Sequence, residues 1–284
     1  MNWQKELEKP VPGLAPFFTL DMGTGPAYIK PDGPPFLTAG FTLRAGGVSR
    51  GAWAEANFSF NVGDDPAAVR NNRRALLERV GAGRFPRLIT LHQVHGSLCL
   101  EVPENLSAEW LARPEVVVAD ALITSRPGIL LGIQTADCLP LILVADTFPV
   151  VAVVHVGWRG LEQGIGARTA RKMIEDYGAD PSRIQAYAGP AIGRCCFQVG
   201  REVIDVFRRK SYLSAESAWF DKRPDGFYLD LAAVLQAQLA GVGIMADNFY
   251  SVDLCTVCHG FCFSYRRDHA ITGRQLAFAG IVPE

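Results

Sequence analysis

Residues 129–156 read ILLGIQTADCLPLILVADTFPVVAVVHV and form the most apolar stretch of the chain. Asp137, Pro140, Asp146 and Pro149 interrupt it, so the stretch is divided into segments that are too short to cross a membrane. These segments are rich in β-branched residues, which favour strands. The sequence therefore predicts consecutive buried strands at the centre of the fold. They span residues 129–134, 139–145 and 150–155.

Further elements are predicted on both sides of this centre. We expect strands at 36–43, 88–91 and 121–124, and helices at 66–81, 161–177, 201–209 and 230–240. Asp65 and Asp230 are suited to cap the first and the last of these helices. The short spacing between the strands of 121–155 requires hairpins, so the sheet is expected to be partly antiparallel. The predicted fold class is α/β, with a layered mixed β-sheet core flanked by helices.

Composition places the chain among ordinary globular proteins. It has 284 residues, of which 49% are hydrophobic, and no visible linker divides it. Residues 1–35 are rich in Pro and Gly and are predicted to be irregular with one early strand, and 36–284 are predicted to form a single domain. The net charge of −1 does not suggest a nucleic-acid or membrane partner. Seven cysteines without a visible secretion signal suggest reduced thiols in a cytoplasm.

Three potential soft metal ligands lie at the edges of predicted strands. His155 ends one apolar run, Cys138 follows another, and His92 and His95 lie upstream. Two imidazoles and a thiolate with an open fourth position are typical of a catalytic zinc site. His92 and His95 would point to opposite faces of a regular strand, and the spacing alone does not choose between them. Taken singly, each residue is more often an ordinary core or surface side chain.

Two segments could bind an anion. Gly157-Trp158-Arg159-Gly160 joins a predicted strand to a predicted helix, where free backbone N–H groups and a cation favour phosphate or carboxylate. An equally acceptable interpretation is a tight turn in which Arg159 forms a surface ion pair. Arg44 and Arg50 flank a Gly-Gly turn and offer a second anion contact, although solvated arginines are the commoner case in loops.

A second group of cysteines lies near the C-terminus. The segment from Cys255 to Cys262 contains two cysteines separated by two residues, then His259 and a third cysteine. This spacing resembles half of a zinc knuckle, but no matching pair of ligands is visible nearby. Unliganded thiols are therefore the favoured interpretation. The adjacent Cys195 and Cys196 are likewise interpreted most simply as two ordinary thiols.

Several segments together resemble one family, and they occur in order from about residue 36 to 280. They are TLRAGGVS at 42–49, GDDP at 63–66, QVHG at 93–96, TADCLP at 135–140, HVGWRG at 155–160, GPAIG at 189–193 and FSYRR at 263–267. This pattern resembles the YfiH family, also called the laccase-domain or multicopper polyphenol oxidase family. Val156 stands where the family usually has Ala, and residues 57–61 are a slightly altered version of its Asn-Leu-rich stretch.

The resemblance implies a fold, a metal site and an activity. The family's fold is likened to the catalytic domain of cytotoxic necrotizing factor. Its metal ligands correspond to His95, Cys138 and His155, so the resemblance selects His95 over His92. Its members are described as purine nucleoside phosphorylases acting on adenosine, inosine and methylthioadenosine, and adenosine deamination is also attributed to them. The expected cofactor is zinc, with copper as the alternative.

Phosphorolysis is the first functional hypothesis. The expected partners are a purine nucleoside and phosphate, with Arg44 and Arg159 as catalytic residues. Five residues are expected to hold the phosphate and substrate: Arg44, Gly157, Arg159, Gly160 and Arg266.

Four other hypotheses remain. Deamination suits zinc directly but needs a proton carrier, for which Asp137 and Glu162 are both open. Copper-dependent oxidation is disfavoured because five histidines are too few for a trinuclear cluster in addition to a blue-copper site. A hydrolase that edits peptidoglycan precursors remains an alternative, as does a metal-stabilised binding domain without enzymatic activity.

Overall fold

The computed structural model describes residues 3–8, 11, 14, 16–81, 83–103, 105, 110, 116–213 and 215–283. Its α-helices are α1 (Trp3–Leu7), α2 (Pro66–Gly81), α3 (Trp158–Glu162), α4 (Ile165–Tyr177), α5 (Arg201–Arg208) and α6 (Leu231–Ala240). Its first strands are β1 (Phe18–Asp21), β2 (Tyr28–Pro31), β3 (Leu37–Thr42), β4 (Arg87–Ile89), β5 (Cys99–Glu101), β6 (Ala121–Thr124), β7 (Ile129–Thr135) and β8 (Leu139–Ala145). The later strands are β9 (Val150–Val156), β10 (Ile184–Ala188), β11 (Gln198–Val199), β12 (Phe220–Arg223), β13 (Gly226–Leu229), β14 (Phe249–Ser251) and β15 (Gln275–Ile281).

The described strands form two six-stranded sheets and one small sheet. The first sheet has the order β1-β2-β3-β15-β7-β4, and the second has the order β14-β10-β8-β9-β6-β5. Strands β11, β13 and β12 form the small sheet. Most pairs are antiparallel, whereas β4–β7, β10–β14 and β5–β6 are parallel. The mixed α/β class predicted from the sequence is confirmed.

Side chains that point alternately to the two faces of the central strands produce the layers. In β9, Val151 and Val153 pack with the inner face of the first sheet, while Val150, Ala152 and Val154 pack with the helices on the other side. Helices α4 and α6 cover that outer face, and α2 covers the outer face of the first sheet. Every residue of β8 and β9 is buried, because each strand has protein on both faces. The order of layers is therefore helix, sheet, sheet, helix.

The central stretch crosses between the sheets, contrary to one expectation. Strand β7 belongs to the first sheet, whereas β6, β8 and β9 belong to the second. Of the three short connections in 121–155, only the one between β8 and β9 is a hairpin. The others pass from one packed sheet to the other, a step of about 10 Å that short connections can also span. The Ala136–Cys138 turn between β7 and β8 therefore lies where the two sheets meet.

Two further expectations require correction. Residues 1–35 are not irregular throughout, because β1 and β2 pair with each other and β2 pairs with β3 in the first sheet. The helix predicted at 161–177 is two helices, α3 and α4, separated at Gln163–Gly164. Gly164 has a φ of 80°, a left-handed conformation that a side chain disfavours and that ends a helix.

The other helices confirm the predictions closely. Asp65 Oδ1 accepts the Ala67 N–H at 2.8 Å before α2, and Asp230 Oδ1 accepts the Ala233 N–H at 3.0 Å before α6. None of the helices in the described ranges is both long and apolar enough to cross a bilayer.

Candidate active site

Three predicted ligands converge where the two sheets meet. One ligand atom each from His95, Cys138 and His155 lies within 4.8 Å of the other two. His155 is on β9 in the same alternation as Val151 and Val153, so its ring points toward the first sheet. The His95 and His155 rings are 4.8 Å apart between centroids and nearly perpendicular. The fold thus assembles three side chains that are far apart in the sequence.

The loop that carries His95 is held at both ends. The Gln93 side chain pairs with the Gln134 backbone, with hydrogen bonds of 2.8 and 2.7 Å, and so continues the edge of β7. The next three backbone N–H groups, from Val94 to Gly96, donate to the Asp120 carboxylate at 2.7–3.2 Å. His95 itself adopts a φ of 61°. This turn allows His95 and His92 to line one cavity, although only His95 belongs to the three-ligand group.

Asp120 is a functional residue that the sequence analysis missed. Its Oδ1 atom is 2.7 Å from His155 Nδ1, and the carboxylate is fully buried. Asp120 therefore fixes the His155 ring and the His95 loop at the same time, leaving His155 Nε2 for a ligand. An acidic residue directly before a buried strand was the only signal in the sequence, and it does not distinguish this role from an ordinary turn.

The three ligands and Asp120 shift one another's pKa. Burial alone would raise the pKa of the Cys138 thiol, but the His155 and His95 rings lower it from 9.0 to about 6. Burial would lower the pKa of His155, but the Cys138 sulfur and the Asp120 carboxylate raise it to about 9. The site without an ion therefore holds a thiolate beside an imidazolium near neutral pH. A thiolate is the form of cysteine that binds metals.

Gly157 is required by the close packing of the ligands. A Cβ atom at this position would lie 2.7 Å from His95 Cδ2 and 3.3 Å from Cys138 Sγ. Gly160 is similarly confined, since its Cβ would lie 2.7 Å from the Gly96 carbonyl oxygen. Both glycines thus allow α3 to begin directly against the His95 loop. These contacts give both glycines a packing role, whereas the sequence predicted that they bind phosphate.

Asp137 shapes the turn before Cys138. It has a φ of 97° and is buried. The Thr256 hydroxyl donates to Asp137 Oδ1 at 2.6 Å, and the Arg266 N–H donates to Oδ2 at 2.7 Å. Both oxygens are thus engaged in holding Cys138 in place.

Glu162, the other proposed proton carrier, does not line the cavity. It forms an ion pair with Lys210 at 2.6 Å.

The ligands open onto a cavity of about 480 Å³. Its wall includes the aromatic side chains of Phe197 and Tyr265 and the cationic side chains of Arg266 and Arg274. Arg274 was not predicted; it lies just before β15 and donates to the backbone carbonyls of Thr272 and Gly273 at 3.0 and 2.9 Å. Burial lowers its pKa, an effect that the Cys138 sulfur opposes.

Two predicted anion-binding arginines lie outside the residues that line this cavity. Arg44 donates to the carbonyls of Ala52 and Ala54, and its guanidinium lies 4.7 and 4.8 Å from the centres of the Trp3 and Phe263 rings. Arg159 is exposed and stacks on Trp158 at 4.5 Å. Of the predicted arginines, Arg266 alone lines the cavity.

The donor set fits a zinc ion. Zinc accepts thiolate sulfur at about 2.3 Å and imidazole nitrogen at about 2.0–2.1 Å, and three protein ligands leave one tetrahedral position for a reactant. All three side chains line the cavity, so an ion that they held would lie at the edge of the space in which a substrate would bind. The hydrogen bond from His155 to Asp120 is the type of contact that orients zinc-binding histidines.

Comparison with known proteins identifies one family and several relatives of this chain. Residues 38–282 match the family model described as multi-copper polyphenol oxidoreductase laccase. The chain is 35% identical over 260 residues to purine nucleoside phosphorylase YlmD from Geobacillus stearothermophilus, covering 89% of this chain and 94% of that protein. It is 34% identical over 251 residues to purine nucleoside phosphorylase YfiH from Shigella flexneri, covering 88% and 96%.

Solved structures agree with this relationship. The crystal structure of YlmD from Geobacillus stearothermophilus superposes with a TM-score of 0.85 at 34% identity, covering 94% of this chain and 99% of that one. The Bacillus licheniformis hypothetical protein YfiH gives a TM-score of 0.86 at 30% identity, covering 94% and 100%. In sequence and in architecture, the chain belongs to the YfiH family of laccase-domain proteins.

Proposed function

We propose that this protein is a zinc-dependent purine nucleoside phosphorylase that acts on adenosine, inosine and methylthioadenosine. The observation that carries the proposal is one cavity that combines a two-histidine, one-cysteine centre with two arginines and two aromatic side chains. The relatives named as purine nucleoside phosphorylases support the same reaction class.

The cations of the cavity wall are the phosphate site in this proposal. Arg266 uses one terminal nitrogen on the Gln198 carbonyl at 3.2 Å, and Arg274 uses one on the carbonyls of residues 272 and 273. Each guanidinium has five N–H donors, so donors remain for a phosphate dianion. This assignment replaces Arg44 and Arg159, whose side chains are engaged elsewhere.

The aromatic side chains are the purine site. Tyr265 is 53% exposed despite its size, and Phe197 lies in the same wall. A purine can stack on such rings. The Arg274 guanidinium lies 5.7 Å from the centre of the Tyr265 ring, so a cation of the proposed phosphate site is next to this aromatic side chain. Arg266 lies 5.8 Å from the Phe197 ring centre, which brings the proposed phosphate and purine sites close together.

The reaction transfers a ribosyl group. An oxygen of the hydrogenphosphate dianion bonds to the sugar C1′ as the bond from C1′ to the purine nitrogen breaks, and the proton that the phosphate loses passes to the leaving purine. Zinc, when bound, would supply Lewis-acid polarisation of an oxygen held in the cavity. Arg266 and Arg274 would neutralise the attacking dianion and orient it, while Asp120 holds the His155 ring and Asp137 holds the Cys138 turn.

The acidic residues favour phosphorolysis over deamination. Deamination requires a carboxyl group that transfers protons beside the metal. Among the described residues, Asp137 is the only acidic side chain in the cavity wall, and both of its oxygens already accept hydrogen bonds. Glu162 is paired with Lys210 outside the cavity. Phosphate attack needs no such carboxyl group.

The proposal is tested by product identification. Purified protein is incubated with adenosine or inosine, with and without phosphate, and the products are separated and identified by mass. We expect free base and ribose 1-phosphate only when phosphate is present. Free ribose without phosphate would indicate a hydrolase, and inosine formed from adenosine would indicate a deaminase. A muropeptide precursor in a parallel incubation tests the alternative of peptidoglycan editing.

A further inference from the structure

A second group of thiols lies outside the candidate active site. Cys195 and Cys196 are in the turn between β10 and β11, and Cys255 and Cys258 follow β14. The four sulfur atoms lie within 4.8 Å of one another. Cys258 Sγ is 3.7 Å from Cys195 Sγ and 3.5 Å from Cys196 Sγ. Cys196 and Cys255 are 59 positions apart, so the fold alone brings the two pairs together.

We propose that these four cysteines bind a structural zinc ion. Four sulfurs at about 2.3 Å from a tetrahedral zinc lie about 3.8 Å from one another, close to the two separations of the Cys258 sulfur. The set also has the composition of a closed structural site, with four thiolates and no position reserved for a reactant. This arrangement supplies the missing half of the knuckle-like spacing at Cys255 and Cys258.

The surrounding backbone supports a thiolate at Cys255. The Gly193 N–H donates to Cys255 Sγ at 3.2 Å, and the backbone N–H groups of Val257 and Cys258 also donate to this sulfur. A Cβ atom on Gly193 would lie 3.2 Å from Cys255 Cβ and 3.3 Å from Cys195 Sγ, so glycine permits this close approach. Hydrogen bonds to sulfur favour its charged form.

A cation lies next to the cluster. The Arg223 guanidinium donates to the carbonyl of Cys195 at 3.2 Å and to that of Arg194 at 3.2 Å. Four thiolates and one Zn²⁺ carry a net charge of −2, and Arg223, which is also ion-paired with Asp221 at 3.1 Å, would offset part of this charge.

The proposed ion would connect a loop that lines the candidate active site to a second loop that supports it from outside the cavity. The Cys195–Cys196 turn is preceded by Ile192 and followed by Phe197, and both of these line the cavity. The other loop contains Thr256, which binds the Asp137 carboxylate next to Cys138. Ile192 N–H also donates to the Asp137 carbonyl at 2.8 Å. An ion across the loops would therefore stabilise the cavity wall without touching substrate.

The number of zinc ions per chain tests the proposal directly. The protein is purified under reducing conditions in zinc, freed of loosely bound metal and analysed for metal per chain. We expect two zinc ions in the unaltered chain and the loss of one in Cys258→Ser, whose side chain is exposed. Cys99→Ser, a matched loss of a thiol outside both clusters, should retain both. Cys138→Ala should lose the other ion, and the double variant Cys258→Ser with Cys138→Ala should lose both.

Cobalt substitution identifies the ligands without removing any of the four cysteines. Cobalt in a tetrahedral thiolate site gives a charge-transfer band whose intensity rises with the number of sulfurs. In the Cys138→Ala protein, which lacks the other centre, we expect a band typical of four thiolates. Removal of the ion from this protein should lower the melting temperature by about 5–10 °C.

Each of the following results would overturn the proposal. They are an unchanged zinc content in Cys258→Ser, a cobalt spectrum of Cys138→Ala without thiolate bands, and iron in place of zinc in the purified chain. A disulfide joining the two loops in the freshly purified reduced protein would overturn it as well. Because Cys138→Ala and Cys258→Ser remove different ions, neither result depends on whether the protein is a phosphorylase.

Discussion

The two thiol-containing centres of this protein differ in ligand number and in surroundings. His95, Cys138 and His155 supply three ligands and open onto a cavity, whereas Cys195, Cys196, Cys255 and Cys258 supply four and support the wall of that cavity. A fourth protein ligand occupies the position in which a reactant would bind. The comparison teaches that ligand number, more than ligand type, separates a centre suited to reaction from one suited to cross-linking.

The centres also differ in how the protein holds them. His155 lies within a buried strand, and Asp120 fixes both its ring and the His95 loop. Cys195, Cys196 and Cys258 lie on turns, and Cys255 lies at an isolated bridge with Ala191, so none of the four is within a regular strand. We therefore expect the three-ligand centre to keep its geometry without an ion, while the four-cysteine cluster depends on its ion for order. Each prediction below tests one part of this contrast.

The largest expected effect is on turnover in Cys138→Ala. Loss of the ion removes several kcal/mol of charge stabilisation, so kcat/KM for phosphorolysis should fall about a thousandfold or more. The same assay on Cys258→Ser at low temperature should show a decrease of less than about tenfold, because that cysteine holds only the cavity wall. Equal losses of activity in the two variants would remove the distinction between a reactive and a structural centre.

Asp120→Asn should weaken the three-ligand centre selectively. The amide keeps the shape but loses the charge that orients the His155 ring, so affinity for zinc should fall about 10–100-fold. Competition with a chromophoric chelator measures this affinity, and circular dichroism checks the fold. The Cys138→Ala background gives the control, because the four-cysteine ion should be retained there. An unchanged zinc affinity in Asp120→Asn would show that the His155–Asp120 contact does not support ligation.

The cavity arginines should determine the use of phosphate. Arg274→Gln or Arg266→Gln removes charge-assisted hydrogen bonds, each worth about 1.5–3 kcal/mol, so kcat/KM for phosphate should fall at least about tenfold. Arg159→Gln is the matched control, since Arg159 is exposed and stacks on Trp158; a change below about twofold is expected. Initial rates at varied phosphate concentration give kcat and the KM for phosphate. A larger decrease of kcat/KM in Arg159→Gln than in the Arg266 and Arg274 variants would indicate that phosphate binds at the Gly157–Gly160 turn instead.

The smallest expected effect is the release of protons when zinc binds to the three-ligand centre. With the pKa of Cys138 near 6 and that of His155 near 9, the pair holds one proton between these values, on the imidazole. Zinc requires a neutral imidazole, so binding at pH 7.5 should release about one proton from this pair. The affinity of this centre for zinc should therefore decrease as the pH falls. Calorimetry on Cys258→Ser, in buffers of different ionisation enthalpy, counts the protons, and a count near zero would contradict the thiolate–imidazolium pair.

The sequence was sufficient for the local elements and for the three-ligand centre. The β-branched segments of 129–156, together with the Asp65 and Asp230 caps, predicted their strands and helices because these signals act over a few residues. The family resemblance selected His95, and the structure brings it together with Cys138 and His155. Without the resemblance, the spacing left both His92 and His95 open and did not show that the three residues meet.

Only the tertiary structure decided which distant residues became neighbours. It divided the central strands between two sheets, joined Cys195 and Cys196 to Cys255 and Cys258, and buried Asp120 beside His155. It also placed Arg274 in the cavity and engaged Arg44 elsewhere. Backbone preferences and caps depend on neighbouring residues in the chain, whereas these contacts depend on how the sheets pack and where their connections cross. No pattern within a short segment records that packing.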